Sequence, residues 1–444
     1  MLLITTWLAC QSPPPLVLFV SMDTTRADAL GAYGGPPSTP NVDALAAQGV
    51  RVERGLSQSA TTLASHTGVF SGRESHGSTV VRNGFPVPGG LALLQERFAA
   101  KGWDTIAVVG STALQPEMGL SRGFRVYDNH ELQLKTGIHE VGADQVTQAA
   151  LRHIDAQGEA QPTFLFVHYY DPHNPWNSAP TALRDQACPE PYQGPIQPGI
   201  ETSIAMTRPE FAGSLGPDDL ARARCLYQAE VQWTDQQIGA LIDGLRERER
   251  LESALIVLFS DHGEHLGSDG GSPFGHGPDV DPSIVHVPLI FWGSGELALP
   301  ASVVHRPIRL MDVGPSVLGL LGWESDLGDG EDTSAILRGE RSWQAPPSFA
   351  EATQPASLEN GQGWNNLPFQ RSVTHQDYSL VVTPYRRQAQ LYAWEPSVHV
   401  VQDPQRVEQM VAQLRAWDAT APPHRSFEAT PEMVEALRAL GYMD

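Results

Sequence analysis

Two uninterrupted apolar runs that each lead into acidic residues constrain the fold of this chain more than any other feature. One run, LVLFVSMD, covers residues 16–23, and the other, ALIVLFSDHGE, covers residues 254–264. Continuous apolar runs of this length are typical of strands that are buried on both faces of a parallel sheet. Ligands bind beyond the carboxyl ends of the strands in such sheets, so the acids at these ends are candidate functional residues.

Strand-like and helix-like segments alternate along most of the chain. Further strand-like runs cover residues 103–110, 163–171 and 286–293, and helical patterns cover residues 39–50 and, approximately, 141–157, 219–249 and 311–321. This alternation predicts an α/β fold, a doubly wound sheet with helices on both faces.

A change of pattern near residue 345 predicts a second unit. We interpret residues 1–15 as a leader and linker, residues 16–345 as the main domain and residues 346–444 as a small C-terminal α+β subdomain. Within this subdomain, the runs QRSVTH, YSLVVT and QLYAWE predict short, mainly antiparallel strands, followed by a helical tail.

The formal net charge of −22 excludes one class of partner. An acidic chain repels nucleic acid and anionic membrane surfaces over long range, so we expect no nucleic-acid partner. An anionic substrate would have to be attracted by a local positive feature, such as a metal ion or the N-terminus of a helix.

The three cysteines are Cys10, Cys188 and Cys225, and they bear on the compartment of the protein. No CxxC pair is present, which argues against a zinc site built from thiolates. Cys188 and Cys225 either form one disulfide in an oxidising compartment or remain two unpaired thiols.

Cys10 follows the short apolar segment MLLITTWLA and precedes QSPPP, an arrangement that resembles a bacterial lipoprotein cleavage site. We therefore expect an exported protein, periplasmic or at the cell surface of a bacterium, with a membrane tether through a lipidated Cys10. The alternative is a leader that contains a cysteine by chance.

The acids at the two strand ends, Asp23 and Asp261, and the adjacent His262 are candidate metal ligands. If both strands lie in the centre of the sheet, their carboxyl ends meet at one edge. Two carboxylates and one imidazole there would suit one divalent ion. The alternative for each single acid is a helix cap or a turn former.

The segment SQSATTLASHTGVFSGR, residues 57–73, supplies a fourth candidate ligand. Thr62 lies where a helix is expected to begin, and a threonine hydroxyl bound to a divalent cation loses its proton more easily and becomes a nucleophile. The free N–H groups of the first helical turn would also bind the oxygens of a phosphate or sulfate. The alternative is a threonine that caps an ordinary helix.

Three histidines are candidates for proton transfer or for binding an anionic oxygen. His66 lies one turn beyond Thr62, His173 follows a predicted strand in HYYDPHNPW, and His276 lies in FGHGP. Each could instead be a packing or surface histidine. The Pro- and Gly-rich residues 174–217 follow His173 directly, and we expect this long insertion to shape the mouth of the pocket.

These residues together resemble the sulfatase family of the alkaline phosphatase superfamily. The similar segments occur in the family's order: VLFVSMDTTRADALGAYG, STPNVDALAAQGVRVERGLSQSATTLASHTGVFSGR, HYYDPHNPW, VLFSDHGEHLG, GHGPDVDPSIVHVPLIFWG, DTSAILRGE and LRALGY. The resemblance implies an alkaline phosphatase-like sheet, a smaller C-terminal domain and an ester-cleaving nucleophile beside one divalent ion, for which we consider Ca²⁺, Zn²⁺ and Mn²⁺.

The resemblance also implies a role for each candidate residue. It assigns metal binding to Asp23, Asp261 and His262. Thr62 takes the position of the nucleophile. His173 matches the family's substrate-binding histidine, and His276 falls near a basic residue that holds the anionic group.

The chain departs from the family at the start of the helix. Sulfatases place Cys or Ser there, followed by x-Pro-Ser-Arg, and convert it to formylglycine, whose hydrate can eliminate sulfate. This chain has TLASH instead, and threonine is not a substrate for that conversion. A pair of acids is usual where this chain has Asp23 and Thr24, and the usual lysine–histidine pair is not apparent in VVGSTALQPEMG.

A threonine in the nucleophile position is similar to that of two phosphoryl-transferring relatives, the nucleotide pyrophosphatase-like phosphodiesterases and the phosphoethanolamine transferases. A phosphothreonine can be resolved by in-line attack of water or an alcohol on phosphorus. We therefore predict a metal-dependent hydrolase or transferase of small anionic esters that favours phosphate over sulfate esters. Two alternatives remain: a sulfuric ester hydrolase that works without formylglycine, and a non-catalytic binding protein for anionic glycans or lipid head groups.

Overall fold

The structure is a computed structural model that describes residues 14–129, 141–157, 161–188, 191–206, 208–267, 274–342, 344–353, 368–383 and 387–421. The predicted leader with Cys10 and the segment LRALGY lie outside the described residues. The strands are β1 (Leu16–Met22), β2 (Val50–Leu56), β3 (Asp104–Val109), β4 (Val126–Asp128), β5 (Thr163–Tyr169), β6 (Ala254–Phe259), β7 (His265–Leu266), β8 (Phe274–Gly275), β9 (His286–Gly293), β10 (Ser302–Val304), β11 (Ile308–Arg309), β12 (Ser348–Thr353), β13 (Pro368–His375), β14 (Tyr378–Thr383), β15 (Gln388–Ala393) and β16 (His399–Val401).

The α-helices are α1 (Pro40–Gln48), α2 (Thr62–Ser71), α3 (Ser75–Ser78), α4 (Leu94–Ala100), α5 (Ala143–Asp155), α6 (Thr181–Ala187), α7 (Ile200–Met206), α8 (Pro209–Ala212), α9 (Pro217–Glu247), α10 (Pro282–Val285), α11 (Val313–Leu320), α12 (Ser334–Leu337) and α13 (Pro404–Asp418). Among these helices, none combines the length and the apolar character needed to cross a bilayer.

Most of the strands form one large sheet. Within the described ranges it has nine strands in the order β10-β2-β9-β6-β1-β5-β3-β4, with β11 also paired to β2. The strands β6, β1, β5, β3 and β4 run parallel. Helices α2, α4 and α11 pack on one face and α1, α5 and α9 on the other, each over its own buried apolar core. The predicted α/β fold, with helices on both faces of the sheet, is confirmed.

Four strands of this sheet, β2, β4, β10 and β11, and the direction of β9 were not predicted. β2 contains Arg51 and Glu53, which are half-buried between buried neighbours, so the strand does not form a continuous apolar run. β9 runs antiparallel to both β6 and β2. Its direction could not be seen in the sequence, because a strand buried on both faces has the same apolar pattern in either direction.

The strand order brings the predicted site residues to one edge of the sheet. Asp23 directly follows β1, Asp261 comes shortly after β6, and these two strands are parallel neighbours. β2 points the same way as β6, because each is antiparallel to β9 between them. Thr62 comes shortly after β2 in sequence and therefore reaches the same edge.

In its described residues, the C-terminal subdomain is a five-stranded antiparallel sheet, β12 to β16, with α13 packed on it. The three runs predicted as strands correspond to β13, β14 and β15, and the predicted helical tail corresponds to α13. The N–H of Glu351 on β12 donates to the carbonyl oxygen of Gln58 over 3.3 Å, and Glu351 also pairs with Ser59 as an isolated bridge. The subdomain thus supports the loop that precedes α2.

The predicted insertion, residues 174–217, contains α6, α7 and α8 and is covalently linked to α9. A disulfide joins Cys188 to Cys225 of α9, which decides between the two alternatives left by the sequence. Near the start of the insertion, Trp176 is buried, with its indole N–H donating to the carbonyl oxygen of Pro172. The insertion therefore begins beside the candidate site, and its effect on the pocket mouth stays a prediction.

Candidate active site

Three predicted metal ligands converge at the carboxyl edge of the large sheet. Ligand atoms of Asp23, Asp261 and His262 all lie within 4.8 Å of one another, and the three side chains are fully buried. Each offers one buried atom without a hydrogen-bond partner: Oδ1 of Asp23, Oδ2 of Asp261 and Nε2 of His262. Buried polar atoms are nearly always paired, so three unpaired ligand atoms this close together mark a place that fits an ion.

The charges of these residues also favour a cation. Burial raises the pKa of Asp23 well above its usual value, and the nearby charge of Asp261 raises it further. Burial acts in the same direction on Asp261, but the neighbouring His262 and His66 outweigh it and lower the pKa of Asp261. Two carboxylates in one buried site repel each other, and a divalent ion between them would remove that repulsion.

Thr62 is the first residue of α2 and lies beside this cluster. Its Oγ1 donates to Oδ2 of Asp23 over 3.4 Å, and the residue is 1% exposed. The residue in the nucleophile position and the predicted metal ligands therefore share one site. The expectation of free N–H groups in the first turn needs one correction, because the N–H of Leu63 donates to Oδ1 of Asn83 over 2.8 Å.

Asn83 is a site residue that the sequence analysis missed. It is 1% exposed, and its amide nitrogen Nδ2 has no hydrogen-bond partner. Because Oδ1 binds the first turn of α2, the amide group is held near Thr62 with two donor hydrogens available. In the sequence, Asn83 precedes Gly84, a pattern that indicates a turn and gives no sign of another role.

His66 lies inside the protein, behind the start of α2. Its Nδ1 is bonded to the carbonyl oxygen of Thr62 over 2.7 Å, its Nε2 to the hydroxyl of Ser21 over 2.9 Å, and the residue has no exposed surface. Burial lowers the pKa of His66 to about 3. A neutral ring with both nitrogens engaged supports the helix start, and the catalytic role predicted for His66 stays a prediction.

His173 and His276 lie in a row with His262. The ring centroids of His276 and His262 are 4.4 Å apart, and those of His173 and His276 are 4.9 Å apart. Burial lowers the pKa of His173 to about 4, with His276 contributing, and lowers the pKa of His276 well below its usual value. The two predicted histidines therefore lie beside the candidate metal ligands, and both are neutral at pH 7 in the absence of substrate.

Glu264 and His168 are two further residues that the sequence analysis missed. Oε1 of Glu264 faces Nδ1 of His276 over 3.4 Å, so a third buried acid lies close to the row of histidines. His168 is on β5, and its Nε2 is 3.1 Å from Oδ2 of Asp23. His168 lies within an otherwise apolar run, so the sequence pattern does not distinguish it from an ordinary core residue.

Comparisons with known proteins agree with this geometry. The sequence profile of the Sulfatase family matches residues 15–323, well over half of the chain. The ulvan-active sulfatase of Formosa agariphila is 26% identical over 397 residues, which cover 83% of this chain and 73% of that protein.

Solved structures share the fold at lower sequence identity. A phosphonate monoester hydrolase from Silicibacter pomeroyi superposes with a TM-score of 0.70 at 19% identity, over 92% of this chain and 96% of that one. A 2-O GAG sulfatase superposes with a TM-score of 0.69 at 17% identity, over 95% and 96% of the two chains. Family profile, sheet topology and clustered ligand atoms thus agree that this chain belongs to the sulfatase family and is a hydrolase that acts on ester bonds.

Proposed function

We propose that the protein cleaves small anionic esters with Thr62 as the nucleophile and one divalent metal ion as cofactor, and that it favours phosphate over sulfate esters. The observation that carries this proposal is the set of three unpartnered ligand atoms, from Asp23, Asp261 and His262, beside the hydroxyl of Thr62. Buried polar atoms cost about 1–3 kcal/mol each when they have no partner, and an ion bound among these three atoms would supply that partner.

The donor set fits the proposed cofactor. Two carboxylate oxygens, one imidazole nitrogen and one hydroxyl suit Ca²⁺, Zn²⁺ or Mn²⁺, and they come from Asp23, Asp261, His262 and Thr62. A bound divalent ion supplies two effects, a lower pKa for a coordinated hydroxyl and compensation of the charge on an ester oxygen.

The protein's own groups support a two-step displacement. Oγ1 of Thr62 forms a bond to phosphorus while the bond to the leaving oxygen breaks, and the proton that Oγ1 gives up is passed to the leaving oxygen. Water then attacks the phosphothreonine in line, loses its proton, and releases phosphate and the free hydroxyl of Thr62. We assign proton transfer to His173 and His276, whose lowered pKa values an incoming anion would raise.

The choice of phosphorus over sulfur rests on Thr62. The solved structures that share this fold include both a phosphonate monoester hydrolase and a 2-O GAG sulfatase, so the scaffold itself does not select one chemistry. The threonine side chain cannot become formylglycine, which removes the exit that the family's sulfatases use for a bound sulfate. A phosphoryl group on Thr62 keeps a route to water.

The metal requirement tests this proposal directly. Purified protein is expected to contain one divalent ion per chain and to lose hydrolysis of p-nitrophenyl phosphate after treatment with a chelator, because the hydroxyl of Thr62 then lacks the cation that would lower its pKa. Elemental analysis and steady-state kinetics measure both effects, and adding Ca²⁺, Zn²⁺ and Mn²⁺ in turn identifies the ion. Unchanged turnover in metal-free protein would contradict the proposal.

Asn83 provides a second prediction at the same site. In Asn83→Asp, a carboxylate oxygen still accepts from the N–H of Leu63, but both donor hydrogens are lost and a negative charge is placed beside the first turn of α2. We expect kcat/KM for the phosphate ester to fall about 10²–10³-fold, as it does when one preorganised donor is removed.

The matched control is Asn83→Ala, which removes the cap as well as the donor. Its kcat/KM is also expected to fall, and its free energy of unfolding should decrease by about 1 kcal/mol because the first turn of α2 loses its partner. Thermal melts separate the two effects. An Asn83→Asp variant with the kcat/KM of the wild type would remove Asn83 from the substrate site.

We also propose that the protein works outside the cytoplasm. The Cys188–Cys225 disulfide supports this, because such bonds persist in oxidising compartments. The proposed lipid attachment at Cys10 lies outside the described residues and rests on the sequence pattern alone.

A further inference from the structure

The two oxygens of each carboxylate in the metal cluster have different surroundings. Oδ2 of Asp261 accepts no hydrogen bond from the described residues and lies 3.4 Å from Nε2 of His262, whereas its Oδ1 accepts the backbone N–H groups of Thr24 over 3.1 Å and His262 over 2.9 Å. In Asp23, Oδ1 is the unpartnered oxygen. Its Oδ2 lies 3.4 Å from Oγ1 of Thr62 and 3.1 Å from Nε2 of His168.

We propose that His168 is a positioning residue that holds the carboxylate of Asp23 in the orientation needed for metal binding and for catalysis at Thr62. This inference rests on the function proposed above. His168 would do for Asp23 what two backbone N–H groups do for Asp261. Hydrogen bonds to the oxygen that does not face the metal are a general means of orienting a ligating carboxylate.

The strand pairing places His168 for this role. β1 and β5 pair so that Ser21 lies opposite His168, and the N–H of Asp23 donates to the carbonyl oxygen of Tyr169 over 2.9 Å. His168 has no exposed surface, and its ring packs edge-on against the ring of His66 with centroids 5.1 Å apart. The strand pairing and the packing against His66 therefore place the imidazole beside Asp23.

Nε2 of His168 lies within hydrogen-bonding distance of Oδ2 of Asp23. The angle at Nε2, however, does not point a hydrogen at that oxygen, so the contact is not a hydrogen bond in this conformation. The torsion that turns an aspartate carboxylate has a broad energy profile, so a small rotation brings Oδ2 into line at little cost. With Nε2 protonated, the neutral ring then donates one hydrogen bond to Asp23.

The reaction itself increases the importance of this bond. Thr62 donates its hydroxyl hydrogen to Oδ2 of Asp23 in the resting enzyme. When Thr62 gives up that proton to become the nucleophile, it can no longer donate and it repels the carboxylate. Among the described residues that contact Oδ2, His168 is then the remaining donor. Its removal should therefore lower kcat more than it raises KM.

A second metal ion is the competing explanation for His168. Ligand atoms of His66, His168 and Asp261 also lie within 4.8 Å of one another. However, both ring nitrogens of His66 are already hydrogen-bonded, to the carbonyl oxygen of Thr62 and to the hydroxyl of Ser21. The geometry therefore favours a hydrogen bond to Asp23 over a second ion, and the metal content of the protein distinguishes the two.

The test compares His168→Leu with His168→Gln in the full-length protein. Leucine removes the donor, whereas the amide nitrogen of glutamine replaces Nε2 at a similar distance from the backbone. Metal-free protein is titrated with the ion that the wild type retains, and kcat and KM are measured with p-nitrophenyl phosphate. We expect metal affinity to fall about 10–100-fold in the leucine variant, with a larger change in kcat than in KM, and to be largely restored in the glutamine variant.

Phe166→Leu is the matched packing control, because Phe166 lies on β5 and its ring contacts those of His66 and His168. It should lower the melting temperature and leave metal affinity unchanged. The metal-induced rise in melting temperature, taken for each variant against its own metal-free form, corrects for differences in intrinsic stability. If His168→Leu does not fold, His168→Asn replaces it, because the shorter amide does not reach Oδ2 of Asp23.

Three results would overturn the role of His168. The first is a His168→Leu variant that binds metal as tightly as the wild type. The second is a His168→Gln variant that is as impaired as His168→Leu. The third is a wild type that contains two ions per chain while His168→Leu contains one. A wild type that binds no ion, or does not hydrolyse the phosphate ester, would instead refute the proposed function. The two failures are therefore distinguishable.

Discussion

Thr62→Ala is expected to lower kcat for p-nitrophenyl phosphate by at least about 10³-fold, because the nucleophile and one metal ligand are lost together. Thr62 is 1% exposed at the start of α2, and its hydroxyl donates to Oδ2 of Asp23, so the variant removes the hydroxyl that contacts a candidate metal ligand. Steady-state kinetics at saturating substrate measure the loss. In His66→Ala, kcat should fall less, about 10–100-fold, since the ring of His66 contacts only the backbone carbonyl oxygen of Thr62 and not its hydroxyl.

Two further variants make the comparison sharp. Thr62→Ser keeps a hydroxyl in the same place and should retain much of the activity of the wild type. Thr67→Ala removes a buried hydroxyl from the same helix, one that donates to the carbonyl oxygen of Leu63 over 2.7 Å, and should leave kcat unchanged. Full activity in Thr62→Ala would show that the nucleophile is elsewhere.

The second large effect concerns the ester itself. With matched aryl esters, the wild type should turn over the phosphate at least about 100-fold faster than the sulfate, a ratio that differential transition-state stabilisation readily produces. A sulfate transferred to Thr62 has no formylglycine hydrate through which to leave. A phosphoryl group can be displaced in line by water.

This difference also predicts the shape of the time course. p-Nitrophenyl sulfate should release no more than about one equivalent of p-nitrophenol per active site before the reaction slows. The reason is that sulfated Thr62 accumulates as a stalled covalent intermediate. p-Nitrophenyl phosphate should give sustained turnover. Mass spectrometry of the peptide that contains Thr62 identifies the trapped species. Sustained, faster hydrolysis of the sulfate would assign the protein to sulfate chemistry without formylglycine.

The metal cluster could be predicted from sequence because it depends on strand ends. Asp23 and Asp261 each follow a continuous apolar run, and parallel neighbours in a sheet carry their ends to one edge. Thr62 was identifiable because helix starts combine small and hydroxyl-bearing residues. These features are local in the chain, and simple packing rules connect them.

His168 and Asn83 could not be predicted because their roles depend on distant partners. His168 meets Asp23 through the register of β1 and β5, and residues far apart in sequence set that register. Asn83 meets α2 through a loop whose path no periodicity describes. The reversed direction of β9 was hidden for a related reason, since burial on both faces removes the alternation that reveals an antiparallel strand.

The hydrogen bond between Glu351 of β12 and Gln58 has a consequence for how this enzyme could evolve or be engineered. Because β12 hydrogen-bonds to the loop that leads to Thr62, the C-terminal sheet contributes to the position of the residue proposed as the nucleophile. Exchanging that sheet between relatives would change how this loop is held, even if Asp23, Asp261 and His262 were all kept.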